Sequence, residues 1–391
     1  MPAAAELKDR ARRALERQRD ELVELSHDIH DHPELAFEEY FALERLTGTL
    51  AGHGMAVDAG VCELPTAFSA HSGEGPLVVA LCAEYDALPG VGHACGHNII
   101  AASSVGAALA LAEVADDLAL TVKVLGTPAE EGGGGKVLML ERGAFDDAHL
   151  AMMVHPWPAD WLAAQCLAVS HFDVHFTGKE AHASAAPYEG INASDAMVVA
   201  QVALSLLRQQ FHPGDQAHGV VSEGGQAANV IPARVSGRFM CRAPSLEGLE
   251  RLEPRVRRCF EAGALATGAQ VSFEVLSPIY THMESDPDLL GAYRANAETL
   301  GRSFGPDDQG DDLPTVSTDM ANVSLQVPTI HPLIGIDAKG AVNHQREFAS
   351  ACATPSADAA LYDGALALAW TAIDAATTPK VRERLLNRSR P

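Results

Sequence analysis

At 391 residues, 47% of them hydrophobic, the chain is long enough for two domains and can bury sizeable cores. Its formal net charge of −24 disfavours nucleic acid or an anionic membrane as a partner and instead serves solubility. Seven scattered cysteines argue against a disulfide framework, and the charged opening segment has no apolar run of the secretory kind, so a reducing cytoplasm is expected.

Leu15, Leu22, Leu25 and Ile29 form one apolar stripe and predict an N-terminal helix. A second helix carries Leu43, Leu46 and Leu50 on one face and ends at Gly52 and Gly54. Leu77 to Ala83 is a continuous apolar run, as in a strand buried on both faces. The Ala-rich stretch near 98–115 is interrupted by Ser103, Ser104 and Glu113, which predicts a buried helix rather than a membrane span. A strand over Leu120 to Gly126, a helix from Gly135 to about Arg142 and a strand over Leu150 to Val154 follow. This alternation predicts an α/β fold, a parallel sheet in a three-layer sandwich.

The pattern changes after Leu167. Phe172, Val174 and Phe176 alternate with His171, Asp173 and His175, giving a strand with one polar face. A helix over Asn192 to Gln210, strands near 217–223 and 234–243, a helix over 246–266 and a strand over 270–276 complete a β-α-β-β-α-β order, the ferredoxin-like unit. Residues 168–283 are therefore expected as a smaller domain inserted into one made of 1–167 and 284–391. In the last part, Asp307 to Asp312 reads as a polar loop, Thr329 to Ile336 as a strand, and most of 355–376 as a helix.

Residues with metal-ligand chemistry follow each of the three N-terminal strands. Glu84 and Asp86, then His93, Cys95 and His97, come after the first; Glu130 and Glu131 after the second; His155 directly after the third. Parallel strands bring such segments to one edge of a sheet, where ligands bind in open α/β folds. Thiolate, imidazole and carboxylate together suit Zn²⁺ or a similar ion. Adjacent Glu130 and Glu131 cannot point the same way, so one can bind metal while the other takes a proton from water. Other readings stay open on the residues alone. Cys95-Gly-His97 can be a tight turn with a buried thiol, or Cys95 a nucleophile, although that leaves both glutamates unexplained. The glutamates can equally cap a helix N-terminus. Gly132 to Gly135 lack the Lys-Ser or Lys-Thr pair of a phosphate loop.

Several motifs in order give the chain a resemblance over nearly its whole length. They are His32-Pro-Glu-Leu, Ala-Glu84-Tyr-Asp86-Ala-Leu-Pro, Gly-His93-Ala-Cys95-Gly-His97, Glu130-Glu131, Gly178-Lys-Glu-Ala-His182-Ala-Ser and Asn229-Val-Ile-Pro. The chain resembles the dimetal aminoacylase and carboxypeptidase family (peptidase family M20, subfamily D), nearest its aminobenzoyl-glutamate hydrolase and aminoacylase-like branch. The resemblance implies a metal-dependent amidohydrolase acting on N-acyl amino acids or dipeptide-like substrates, with a dipeptidase of the same family, or a non-catalytic metal- or ligand-binding dimer, as the alternatives. It implies two divalent ions, zinc or manganese, with cobalt or nickel possible. Cys95 would bridge them, and His97, Glu131, His155 and His344 would complete the sites. Glu130 would be the general base, His182 would polarise the scissile carbonyl, and Asn229 and Arg242 would hold a substrate carboxylate. The inserted domain would serve as lid and dimerisation domain, with His182 often supplied by the partner of a homodimer. Many members carry a metal-binding His where this chain has Glu84; the Cys-containing subfamily has an acid there and uses the His at position 97. Asp86 would then orient a ligand imidazole, and Asp319 is a further candidate near the site.

Overall fold

The computed structural model describes residues 2–305 and 313–388; the polar loop expected over Asp307 to Asp312 lies outside them. The chain divides into two compact units, Met1–Gln165 with Met283–Pro391, and Cys166–His282.

The first unit opens with helices α1 (Ala4–Arg17) and α2 (Arg19–Asp31). The stripe of Leu15, Leu22, Leu25 and Ile29 is buried, but it is shared between two helices rather than carried by one. Gln18 leaves the helical well at φ −103° and ψ 2°, and its N–H bonds to Leu15 O in a tightened turn. No Pro or Gly marks the break, so periodicity alone could not reveal it. Helix α3 (Tyr40–Gly52) is capped from a distance: the Glu34 carboxylate accepts from Phe41 N at 2.9 Å and Ala42 N at 3.0 Å.

Strands β1 (Ala56–Ala59), β2 (Phe68–Ser72) and β3 (Leu77–Ala83) follow, then helix α4 (His97–Ala112), β4 (Leu120–Gly126), helix α5 (Gly135–Glu141), β5 (Leu150–Met152) and β6 (His155–Trp157). Every residue of β3 is buried. Leu77, Val79 and Leu81 join the core cluster containing α4 and the N-terminal helices, while Ala80 and Cys82 join the opposite cluster with Met139 and Phe145. Alternate side chains thus meet helices on both faces, the signature of a three-layer sandwich.

The second unit contains β7 (Ala168–Thr177), α6 (Ala193–Leu207), β8 (Gln216–Glu223), β9 (Arg234–Ala243), α7 (Leu246–Thr267) and β10 (Gln270–Val275). They form an antiparallel sheet in the order β10-β7-β9-β8, with β8 at an edge. Asn192 caps α6 through Ser194 N and Asp195 N, and Ser245 caps α7 through Gly248 N. Phe172, Phe176, Phe239 and Phe260 build the core beneath the helices. The other sheet face is polar: Arg238 grips Asp173 with a two-pronged ion pair at 2.8 and 2.9 Å.

Back in the first unit, α8 (Met320–Ser324), β11 (Thr329–Ile330), β12 (Leu333–Gly335) and α9 (Pro355–Thr377) complete the layers. The main sheet runs β1-β2-β4-β3-β5-β11. Strands β3, β4, β5 and β11 are parallel, but β1 and β2 add an antiparallel edge, so the sheet is mixed rather than parallel. The short, largely exposed β1 offers no apolar run to read. Thr329 to Ile336 is two strands, because His331-Pro332 interrupts it and proline has no N–H for the ladder. The third strand likewise stops at Met152, and β6 resumes at His155 to pair with β12. Among the described residues, no helix is long and apolar enough to cross a membrane.

Candidate metal centre

The carboxyl ends of β3, β4, β5 and β11 share one edge of the sheet. The chain leaving β3 passes Glu84 and Asp86, turns, and enters α4 at His97. Gly96 makes that entry possible. Its φ is 78°, and a Cβ there would lie 2.8 Å from the Pro156 ring and 3.2 Å from Cys352 Sγ.

Cys95 sits at the centre. Its Sγ is 3.4 Å from His155 Nε2 and 3.6 Å from His344 Nε2. The ligand atoms of Cys95, His97 and His155 lie within 4.8 Å of one another, and so do those of Cys95, Glu131 and His344. The two sets share only Cys95, the arrangement a bridging thiolate requires. Glu130 adjoins them: its carboxylate is 3.9 Å from His97 Nε2, and it falls in two further convergent groups, one with His97 and Glu131 and one with Glu84 and Asp319.

The rings are turned so that their inner nitrogens face this space. His97 Nδ1 is engaged by Asp86, at 3.0 Å from Oδ1 and 2.8 Å from the backbone oxygen. His155 Nδ1 donates to Pro156 O at 2.8 Å. His97 Nε2 and Glu131 Oε1 are buried and have no hydrogen-bond partner among the described residues. Such orphaned polar atoms, with a thiolate, imidazoles and carboxylates converging, fit a pair of divalent ions well. His344 reaches the site from a left-handed backbone, φ 71°, anchored by its N–H to Ala94 O at 2.8 Å.

Burial governs the charges. It pushes the Cys95 thiol well above its ordinary value, with Glu131 adding to the effect. Burial also raises Glu131, and it raises Glu130 together with Glu84, Glu131 and Asp319. His155 is lowered to about 3 by burial and then by His331, which leaves it a neutral imidazole suited to binding a metal. Burial opposes the charge on His97 and on Asp86 as well, but each outweighs it for the other: His97 rises above its usual value and Asp86 falls below.

Three residues at this edge escape a motif-based reading. Lys136 is fully buried at the start of α5, its Nζ 2.5 Å from Glu84 and 2.7 Å from Asp319. Asp319 also accepts from Lys136 N at 2.8 Å, so Asp319, not Glu130 or Glu131, caps α5. A lone lysine opening an apolar helix was the available signal. His331 follows β11 as His155 follows β5, each before a proline, and their rings lie 5.4 Å apart. The strand-end rule that finds His155 also finds His331 once β11 is recognised. Asn343 Nδ2 donates to Pro156 O at 3.2 Å and approaches Cys95 Sγ at 3.8 Å.

The second unit carries the other candidates. His182 and Val230 form an antiparallel bridge, and Ala183 N donates to Asn229 O at 3.0 Å, so His182 and Asn229 lie side by side. His182 Nδ1 accepts from Ser184 N at 3.3 Å and Ala185 N at 3.2 Å. The proton of the neutral ring is therefore on Nε2, which becomes an outward hydrogen-bond donor. Arg242 is not part of that bridge. It lies half-buried on the polar face of β9, and burial draws it below its ordinary value.

The family model for peptidase family M20/M25/M40 matches residues 80–369. The chain belongs to peptidase family M20. Like other M20 members it is a metal-dependent hydrolase of amide bonds. Its sequence is 41% identical over 401 residues to an Xaa-Arg dipeptidase of Mus musculus, covering 97% of this chain and 92% of that protein. It is 32% identical to one of the subunits of the p-aminobenzoyl-glutamate hydrolase of Escherichia coli, over 66% of this chain and 58% of the relative. Two solved structures share the M20 fold. One is a putative aminohydrolase from methicillin-resistant Staphylococcus aureus, with TM-score 0.79, 20% identity, and 94% and 99% of the two chains covered. The other is a dinuclear metal-binding M20 peptidase of Bacillus subtilis, with TM-score 0.68, 23% identity, and 90% and 98% covered.

Proposed function

We propose that the protein hydrolyses dipeptides or N-acyl amino acids whose released amino acid is basic, arginine foremost. The observation that carries the site assignment is the pair of ligand sets sharing Cys95, with Glu130 beside them. The full-length likeness to Xaa-Arg dipeptidases supports the substrate class. The net charge of −24 adds a field that attracts cationic substrates.

Cys95, His97, Glu131, His155 and His344 would hold two divalent ions, zinc or manganese, with cobalt and nickel as alternatives. Bound there, such ions supply Lewis-acid polarisation of the carbonyl and lower the pKa of water. Glu130 takes the proton of the attacking water and delivers it to the leaving amine. The Nε2–H of His182 donates to the carbonyl oxygen as negative charge develops on it. Asn229 and Arg242 bind the carboxylate of the released amino acid.

The inserted unit would also make the chain a homodimer. Its helix α6 exposes Val198, Val202 and Leu206 at 54%, 55% and 70%, a one-sided apolar row. Strand β8 leaves an unpaired edge bearing exposed Val220 and Val221. All seven cysteines are free thiols, which supports the cytoplasm as the working compartment.

The deciding experiment loads metal-free protein with zinc or manganese and measures amine release. The panel is alanyl-arginine, alanyl-lysine, alanyl-leucine, N-acetyl-arginine, N-acetyl-cysteine and p-aminobenzoyl-glutamate. Release strongest from the arginine and lysine dipeptides is expected. Release confined to the last two compounds would contradict the basic substrate class.

A further inference from the structure

Glu39 belongs to none of the ligand sets, yet its carboxylate touches the turn that carries Glu130. It is fully buried. A single oxygen, Oε1, accepts from Phe37 N and from Ala129 N, both at 2.9 Å. Phe37 and Ala129 are left-handed, at φ 64° and 58°, a conformation that residues with side chains seldom adopt unless their surroundings impose it. One buried oxygen therefore fastens two such residues, far apart in sequence, to each other.

The turn is closed on its other side as well. Ala129 O accepts from Gly133 N at 3.0 Å and Gly134 N at 2.9 Å. Gly133 packs against the Phe37 ring, and a Cβ there would come within 2.4 Å of it. Both polar groups of Ala129 are thus committed, and the peptide that follows carries Glu130. Glu39 is the residue at which α3 begins, its backbone oxygen accepting from Leu43 N at 3.0 Å, but its side chain takes no part in capping that helix, a task that falls to the Glu34 carboxylate. Nor does its side chain anchor Glu131, whose N–H is held separately by Asp86 Oδ2 at 3.0 Å. Burial raises Glu39 to about 7, so the carboxyl stays in this place at a cost that the local fold must offset.

We propose that Glu39 is a positioning residue for the hydrolysis: it holds left-handed Ala129 so that the Glu130 carboxylate is aimed at the attacking water. The proposal rests on the assignment of Glu130 as the base. Because Glu131 has its own anchor in Asp86, loss of Glu39 disturbs the proton transfer without emptying the metal sites.

The test compares Glu39→Ala and Glu39→Gln in manganese-loaded protein, with alanyl-arginine as substrate and metal content measured in parallel. Glu39→Ala is expected to lower kcat by about tenfold to a hundredfold, the usual effect of a small misplacement of a reacting group. KM and metal stoichiometry should stay near wild type, and Glu39→Gln, whose amide oxygen still accepts, should restore most of kcat. Unchanged kcat in Glu39→Ala, an equal loss in Glu39→Gln, or loss of metal along with activity would each overturn the proposal. Should Glu39→Ala fail to fold, Glu39→Asp, too short to reach both amides, is judged by the same three readouts. Glu130→Gln runs alongside: full activity in that variant removes the base itself, whereas an inactive Glu130→Gln beside a fully active Glu39→Ala removes only the positioning role.

Discussion

Asp86 Oδ1 lies 3.0 Å from His97 Nδ1 while its other oxygen accepts from Glu131 N at 3.0 Å. One buried carboxylate thus sets the ring of one candidate ligand and the backbone of another. Replacing it with Asn keeps the size but turns one acceptor into a donor. Asp86→Asn is expected to weaken metal affinity by about 10- to 100-fold, as partners of ligand imidazoles generally do. Competition against a chelator of known affinity measures this, and an unchanged affinity would show that Asp86 does not orient His97.

Metal uptake should release protons. Without metal, burial keeps Cys95 and Glu131 above their ordinary pKa values, and Asp86, outweighing burial, does the same for His97. The free centre therefore binds more protons than the loaded one, so affinity rises with pH and is lost as pH falls. Titration calorimetry in two buffers of different ionisation heat should report net proton release at neutral pH. Equal heats in both buffers would contradict these protonation states.

Lys136 is expected to be structural in a way that shows in stability. Its ammonium is fully buried between Glu84 and Asp319. Lys136→Met leaves those carboxylates facing each other without a cation, a change that typically costs about 3–5 kcal/mol. Denaturant unfolding checks this, and a loss below about 1 kcal/mol would mean that the carboxylates are protonated or hydrated at little cost.

Much of this candidate site is legible because its residues follow strand ends. The apolar runs Leu77 to Ala83 and Leu120 to Gly126 announce buried parallel strands, and Glu84, Glu130 and His155 follow directly or nearly so. What stayed hidden depends on contacts between distant segments. Glu39 meets Ala129 only after folding, and neither residue type signals a clamp. Lys136 reads as a surface charge until Glu84 and Asp319 are brought to it. The β1–β2 edge leaves no sequence signal, because a short exposed strand has no hydrophobic period. His182 and Asn229 carried meaning only through motif resemblance; their bridge joins segments that no local pattern connects.

Mixing variants tests the homodimer and the origin of His182 together. In the proposed homodimer, Glu130→Gln and His182→Ala are each expected to abolish activity. If His182 acts across the dimer, a mixed dimer keeps one intact site. Random mixing of equal amounts should then restore roughly a quarter of wild-type activity. No recovery, with mixed dimers verified by mass, would place His182 in the same chain as the base it serves.

Glu130 is proposed as the base at a two-ion site built on Cys95. The most direct measurement is the turnover of alanyl-arginine by Glu130→Gln, with bound metal quantified in the same sample. Turnover should fall by about 10²–10⁴ or more, while two ions per chain remain. Near-normal turnover, or loss of the metal itself, would contradict the assignment of Glu130 as a base that does not bind metal.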